Sequence, residues 1–293
     1  MTGLKAQLNR KLHECGRDPL SLFLLGCVIA AALITFMVLS FLLGYILWQG
    51  LPNIETGLFA LQYNSENVSL FPALVDTVLM VIMALAIATP LGIFAAVYLV
   101  EYASRGNRLV SLVRVTADTL AGIPSIVYGL WGFYTLRPFM VDLQLSEQGF
   151  GIFTAAVVLA VMIIPYASSL SAEFISMVPK ELKEGAYSLG GTRLDVIRRV
   201  IFPVAGSGIF ASYILALGRA LGETMAVTML IGNTNILPTS FTSTGNTMAS
   251  VIANQFGEAD GLKLSSLIAI GLLLFLITAI INFIGKMIMK KLS

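Results

Sequence analysis

Histidine, cysteine and charge are all scarce in this 293-residue chain. It has one histidine, His13, and two cysteines, Cys15 and Cys27. That shortage excludes a disulfide framework and a cluster of nitrogen or sulfur metal ligands. Charged residues make up 12% of the chain, against about 25% in a soluble domain. A G-x-x-x-x-G-K-[ST] loop is also missing, so the chain lacks the backbone cradle that binds nucleotide phosphates and cannot be its own ATPase. What fills the space is apolar: 57% of residues are hydrophobic. The composition is that of an integral membrane protein.

Six apolar stretches, 20–49, 71–100, 109–136, 150–177, 206–235 and 262–286, are long enough to cross about 30 Å of hydrocarbon. The expected fold is therefore an all-α membrane domain of six transmembrane helices over 20–293, preceded by a tail over 1–19. The first stretch is too long for a signal-peptide core and reads as a retained helix. All of the 18 lysines and arginines except Arg137, Lys263 and Arg219 fall in the N-terminal tail, in the loops after the second and fourth stretches, or at the C-terminus. The positive-inside rule puts those segments, and both termini, in the cytoplasm of an inner-membrane protein. The loops on the other side, 50–70 and 237–261, are polar, with Glu55, Glu66, Glu258 and Asp260. They suit contact with an extracytoplasmic partner or simply keep helix ends in water.

Arg219 stands inside the fifth stretch, in LALGRALGETMAVTML. A fixed charge at the bilayer centre costs from about 3 to over 10 kcal/mol, so an intramembrane arginine is a functional candidate. Its planar fork of donors suits the oxygens of an oxyanion, and it stays charged. Glu223 follows at i,i+4, on nearly the same face of an unbroken helix. The pair can act as a swap, with an anion displacing the carboxylate, or as a buried structural ion pair. Gly218 and Gly222 form a G-x-x-x-G pair that reads as helix packing. Thr224, Thr228 and Asn233 could line the same route, and so could Ser125, which follows a kinking Pro124 in the third stretch. Asp76, Asp118 and Glu173 lie near stretch ends and read as interfacial. Trp48, Tyr98, Tyr102 and Trp131 read as interface anchors or packing residues.

The loop 178–205, VPKELKEGAYSLGGTRLDVIRRVIFPVA, is too long for a tight connection. Leu182, Ala186 and Leu189 recur at helical spacing, and Gly190 and Gly191 supply a stop. A second amphipathic segment follows, with Leu194, Ile197 and Ile201 on one face and Pro203 expected to end it. Glu184, Gly185 and Ala186, then Gly190 three residues on, then Val200-Ile201-Phe202-Pro203 nine residues later, resemble the EAA motif of ABC importer permeases. Glu184, Ala186, Gly190 and Pro203 match, while Gly185, Val200 and Phe202 depart conservatively. GIPSIVYGLWGF at 122–133, GRALGETMAVTMLIGN at 218–233, TMASVIANQF at 247–256 and LSSLIAIGLLLFLITAI at 264–280 are similar to PstC-type permeases of phosphate-specific transporters.

The resemblance implies a type I importer permease whose loop, between helices four and five, forms a coupling helix on a cytoplasmic ATPase. It implies a heterodimer with a PstA-type permease, two copies of the ATPase subunit and an extracytoplasmic phosphate-binding protein. Phosphate is then the substrate, ATP and Mg belong to the partner ATPase, and this chain is a transport subunit with no cofactor of its own rather than an enzyme. An ABC permease for molybdate or sulfate would show the same loop. A secondary transporter or channel without an ATPase predicts inverted repeats and broken helices instead.

Overall fold

The computed structural model describes residues 19–54, 69–102 and 108–292. The tail with Lys5, Arg10, His13, Cys15 and Arg17 lies outside them, as do Glu55, Glu66 and Arg105. The chain is helical, with no strand among the described residues beyond one isolated bridge between Gly232 and Gly245.

In chain order the helices are α1 (Pro19–Gly50), α2 (Phe71–Val97), α3 (Arg108–Ala121), α4 (Ser125–Trp131), α5 (Arg137–Asp142) and α6 (Ile152–Ser176). They continue as α7 (Lys180–Ser188), α8 (Arg193–Val196), α9 (Phe202–Leu221), α10 (Met225–Thr228), α11 (Met248–Gln255) and α12 (Gly261–Leu292). Wide, π-type turns extend α2 over Tyr98–Tyr102, link α4 to α5 over Gly132–Leu136, and link α8 to α9 over Ile197–Ile201. Among the described residues, five helical segments are long and apolar enough to span a bilayer: Phe23–Asn53, Phe71–Tyr102, Ile152–Ser176, Arg193–Leu221 and Lys263–Lys291.

The pair α2 and α6 forms the centre. Ala84, Ala88, Gly92 and Ala96 repeat every four residues on α2, and all are buried. Small side chains at that spacing let backbones approach, which is how helices pack without a hydrophobic drive between them. Ala155, Ala156, Leu159, Ala160 and Ile163 of α6 fill the facing side. Helix α9 closes over both. Its Tyr213 hydroxyl donates to Thr89 O at 3.0 Å, and a Cβ at Gly92 would lie 2.5 Å from that hydroxyl oxygen. α1 buries almost nothing against the rest and touches it near Gly50, beside Leu272 of α12.

Three expectations are corrected. The third apolar stretch is not one helix: it breaks at Gly122–Pro124, where Pro124 lacks an N–H and starts α4 with extended backbone (φ −57°, ψ 138°). Tyr128 bridges the break by donating to Leu120 O at 2.8 Å. The fifth stretch ends as a helix at Leu221, with Gly222 as its cap and only the four-residue α10 beyond. Pro203 does not end the loop's second segment. The turn before it widens, with Phe202 N–H bonding Ile197 O, so the missing Pro203 donor is absorbed and Arg193–Leu221 runs on as one span.

Candidate functional site

At the end of the bundle that carries the basic loops, α7 is a nine-residue helix held against the end of α2. Lys183 Nζ lies 2.5 Å from Glu101 Oε1, with both side chains mostly buried. The guanidinium of Arg193 sits 5.5 Å from the centre of the Tyr102 ring. Thr192 and Asp195 form a reciprocal capping box that starts α8. Val196, Ile197 and Ile201 bury against Ala96, Val97 and Ile175. Leu194, expected on that face, is exposed, because the wide turn rotates the segment. Gly190 adopts φ +84° and stops α7, as a glycine can. Leu182, Tyr187 and Leu189 remain exposed, and Glu184, Gly185 and Pro203 are exposed as well. Ala186 packs inward on the aliphatic cluster, and its carbonyl accepts from Gly191 N at 3.1 Å. Asp118 and Glu173 border a cavity of about 290 Å³ at this end with Arg114, and Ser169 donates to Asp118 Oδ1 at 3.1 Å.

The polar centre is built from two broken helices. α4 and α10, the segments that follow the two breaks, pack directly: a Cβ at Gly129 would lie 3.0 Å from Ala226 Cα. Arg219 occupies the last turn of α9, half-buried, with its guanidinium 5.4 Å from the centre of the Tyr166 ring on α6. The break separates Arg219 from Glu223, and the two form no ion pair. Each charge instead takes a helix end. Arg219 stands where the carbonyls of α9 lack internal partners, which favours a cation. Glu223 is buried and its Oε1 accepts from Ala226 N at 3.2 Å, satisfying a free donor at the start of α10. An arginine stacked on an aromatic face, with no carboxylate paired to it among the described residues, keeps its fork available to an anion.

Thr224 donates to Gly222 O at 3.1 Å, and Thr228 donates to Thr224 O at 2.7 Å, so both hydroxyls bond their own backbone. Ser125 opens α4 immediately after the first break. Asn233, at φ 55°, donates to Thr228 O and accepts from Asn254, each at 2.9 Å. It lines a cleft of about 770 Å³ at the end opposite the basic loops, with Thr228, Thr234, Thr244 and the segment 144–150. Arg219, Glu223, Thr224 and Ser125 do not border that cleft. Gly218 faces Asn282 of α12, with a hypothetical Cβ 3.6 Å from its amide nitrogen, while Gly222 has only its own helix beside it. The G-x-x-x-G pair is thus one contact and one cap.

Sequence reasoning missed Glu101, Tyr166, Tyr128 and Asn282, whose roles depend on partners far away in the chain. It also misplaced Asp76. That carboxylate is fully buried, not interfacial, and its Oδ2 accepts from Asn246 N at 2.8 Å. The loop 229–247 folds back over it because Gly245 has no side chain: a Cβ there would lie 2.4 Å from Asp76 Oδ2.

Residues 88–293 match the family described as the binding-protein-dependent transport system inner membrane component. The chain is 42% identical over 230 residues to the phosphate transport system permease protein PstC of Haemophilus influenzae, covering 72% of each chain. It is 33% identical to the protein of that name in Xylella fastidiosa, across 97% of this chain and 94% of that one. Among solved structures, a chain of a bacterial ABC transporter involved in the import of the acidic polysaccharide alginate aligns with a TM-score of 0.66 at 17% identity, over 97% of this chain and 99% of that chain. A chain of the MetNI methionine ABC transporter aligns at 0.58 and 19% identity, over 76% and 94%. These two establish the fold.

Proposed function

This chain belongs to the binding-protein-dependent transport system inner membrane component family, and we propose that it is the phosphate-translocating permease subunit of an ATP-driven importer. The observation that carries the reading is the 42% identity, over 230 residues, to a phosphate transport permease. Arg219 supports it: a half-buried guanidinium on an aromatic ring, with no carboxylate paired to it among the described residues, in a membrane-embedded helix. The basic loops and both termini face the cytoplasm, and the cleft faces outward.

In this reading the complex holds a PstA-type permease, two copies of a cytoplasmic ATPase and an extracytoplasmic phosphate-binding protein. The exposed side chains of Leu182, Tyr187 and Leu189 on α7, with Glu184, Gly185 and Gly190, form the ATPase-docking face. Phosphate enters past the hydroxyl- and amide-lined cleft, contacts Arg219 briefly, and leaves toward the basic end. Retention must stay weak, since conduction needs release as much as entry. Glu223 does not hold Arg219 in this conformation, so its part is to cap α10, and the swap becomes a step in which Glu223 leaves Ala226 N for Arg219. The helix breaks do not point to a secondary transporter, because an interrupted helix is how a membrane protein presents backbone ends to a polar path in any transporter class.

Uptake of radiolabelled phosphate by the purified complex in proteoliposomes tests the reading. ATP-dependent uptake that unlabelled phosphate suppresses, and that sulfate and molybdate do not, is the expected result. Suppression by molybdate or sulfate at lower concentrations than phosphate would reassign the substrate.

A further inference from the structure

The two fixed points described above lie on one helix. Glu101, at the basic end of the α2 segment, pairs with Lys183 of α7. Asp76, near its other end, holds the return loop through Asn246 N. Twenty-four residues lie between them, a rise of about 38 Å at 1.5 Å per residue step. Between them the alanine–glycine stripe of α2 packs against α6 and α9, and Pro90 within that stretch removes one helical hydrogen bond.

The loop end is wired with equal economy. Thr77, next to Asp76, accepts from Met248 N at 3.0 Å. Asn246 joins Asn235 and Ser250 through its side chain. Gly245 N donates to Ile231 O and Thr234 N donates to Gly245 O, each at 3.0 Å, so a displacement at 246 passes to 231–234. Asn233 carries it to Thr228 O at the end of α10, beside the second helix break, and Thr244 carries it to the cleft wall. The second carboxylate oxygen of Asp76, Oδ1, is buried with no hydrogen-bond partner. A buried polar atom left unmatched is costly and marks a site where another arrangement could satisfy it.

We propose that α2 is the transmission rod of the transporter: Lys183–Glu101 couples it to the ATPase-docking helix, and Asp76–Asn246 latches it to the loop that shapes the cleft. The proposal rests on the reading that α7 receives the ATPase, and it makes Asp76 and Glu101 positioning residues that act through the loop and not on phosphate. Spatial order alone does not establish coupling, so the test is one of non-additivity. The reporter is Thr244→Cys on the cleft wall, with Cys15 and Cys27 replaced by serine, in the full complex solubilised in detergent. Its rate of maleimide labelling is measured without nucleotide and with a non-hydrolysable ATP analogue.

The analogue is expected to change labelling of the otherwise native complex. Asp76→Asn, which weakens the hydrogen bond to Asn246 N, raises nucleotide-free labelling about tenfold. Lys183→Ala removes the nucleotide response, and the double variant behaves like Asp76→Asn alone. If Asp76→Asn does not accumulate, Gly245→Ala, whose methyl displaces the loop from the carboxylate, is expected to raise labelling in the same way. A native-like nucleotide response in Asp76→Asn or Lys183→Ala overturns the rod, as does additive behaviour of the pair. Failure of the native complex to take up phosphate while labelling still follows nucleotide overturns the substrate reading and leaves the rod standing.

Discussion

The two ends of the bundle are tied by different chemistry. At the basic end, aliphatic side chains of α2, α6 and the α8–α9 turn pack together, and one short ion pair and one cation–ring contact fasten α7 over them. At the opposite end, the buried carboxylate of Asp76 and the hydroxyls of Thr77, Thr247 and Ser250 accept from backbone N–H groups of a folded-back loop, and the Asn246 amide donates to Asn235. The first arrangement fixes a rigid platform and leaves one helical face bare. The second is directional: its polar groups each hold a particular donor, beside an aliphatic cluster of Leu70, Ala73, Met248 and Val251. In the proposed function, the part that is pushed by the ATPase has the first kind of tie and the part that opens has the second.

The comparison is broken most sharply between the two ends, at Arg219. Arg219→Gln should lower phosphate uptake about 100-fold while the protein still accumulates, since a bidentate charge-assisted contact is worth roughly 2–3 kcal/mol. Uptake in proteoliposomes, set against the amount of complex recovered, checks it. Lost protein instead of lost uptake would return Arg219 to a structural role. Arg219→Lys should recover only part, because an ammonium cannot present a planar fork.

At the directional end, Asp76→Ala should destabilise the solubilised protein by about 1–3 kcal/mol, because the buried Asn246 N–H is left without an acceptor. Thermal unfolding measures it. At the platform end, a double-mutant cycle on Lys183→Ala and Glu101→Ala should return a coupling of about 0.5–3 kcal/mol. A platform coupling larger than the Asp76 effect would reverse the contrast. The smallest expected change in stability is that of Leu182→Ser, within about 0.5 kcal/mol as for other exposed sites. The same variant should lose its ATPase subunits on co-purification, and full retention would show that the bare face of α7 is not the docking face.

Much of this architecture was legible in the residues. Long apolar runs gave the spans at α1, α2, α6 and α12, and helical spacing with Gly190 gave α7 and its stop. The EAA-like spacing pointed to the family that the match over 88–293 established. Two runs misled. Hydropathy averages over a window, so 109–136 and 206–235 looked continuous, yet each contains a glycine-bearing break that the average does not register. The i,i+4 reading of Arg219 and Glu223 failed with the second break, since that geometry requires an unbroken helix.

Asp76 shows the limit from the other side. A carboxylate near a stretch end reads as interfacial, and nothing local contradicts that. Its burial comes from residues 170 positions later, where Gly245 leaves room and Asn246 offers a donor.

The amino-acid sequence by itself determined that this is a polytopic helical membrane protein, with its positive charge gathered at one end, no nucleotide loop, and one arginine inside an apolar stretch. Those properties follow from transfer energies and periodicity, which each segment carries alone. The tertiary structure decided where helices break, that Arg219 stands without its carboxylate, and that Asp76 is covered. Each of these requires a free backbone or polar group to find its partner, and the partner is supplied by a segment distant in the chain.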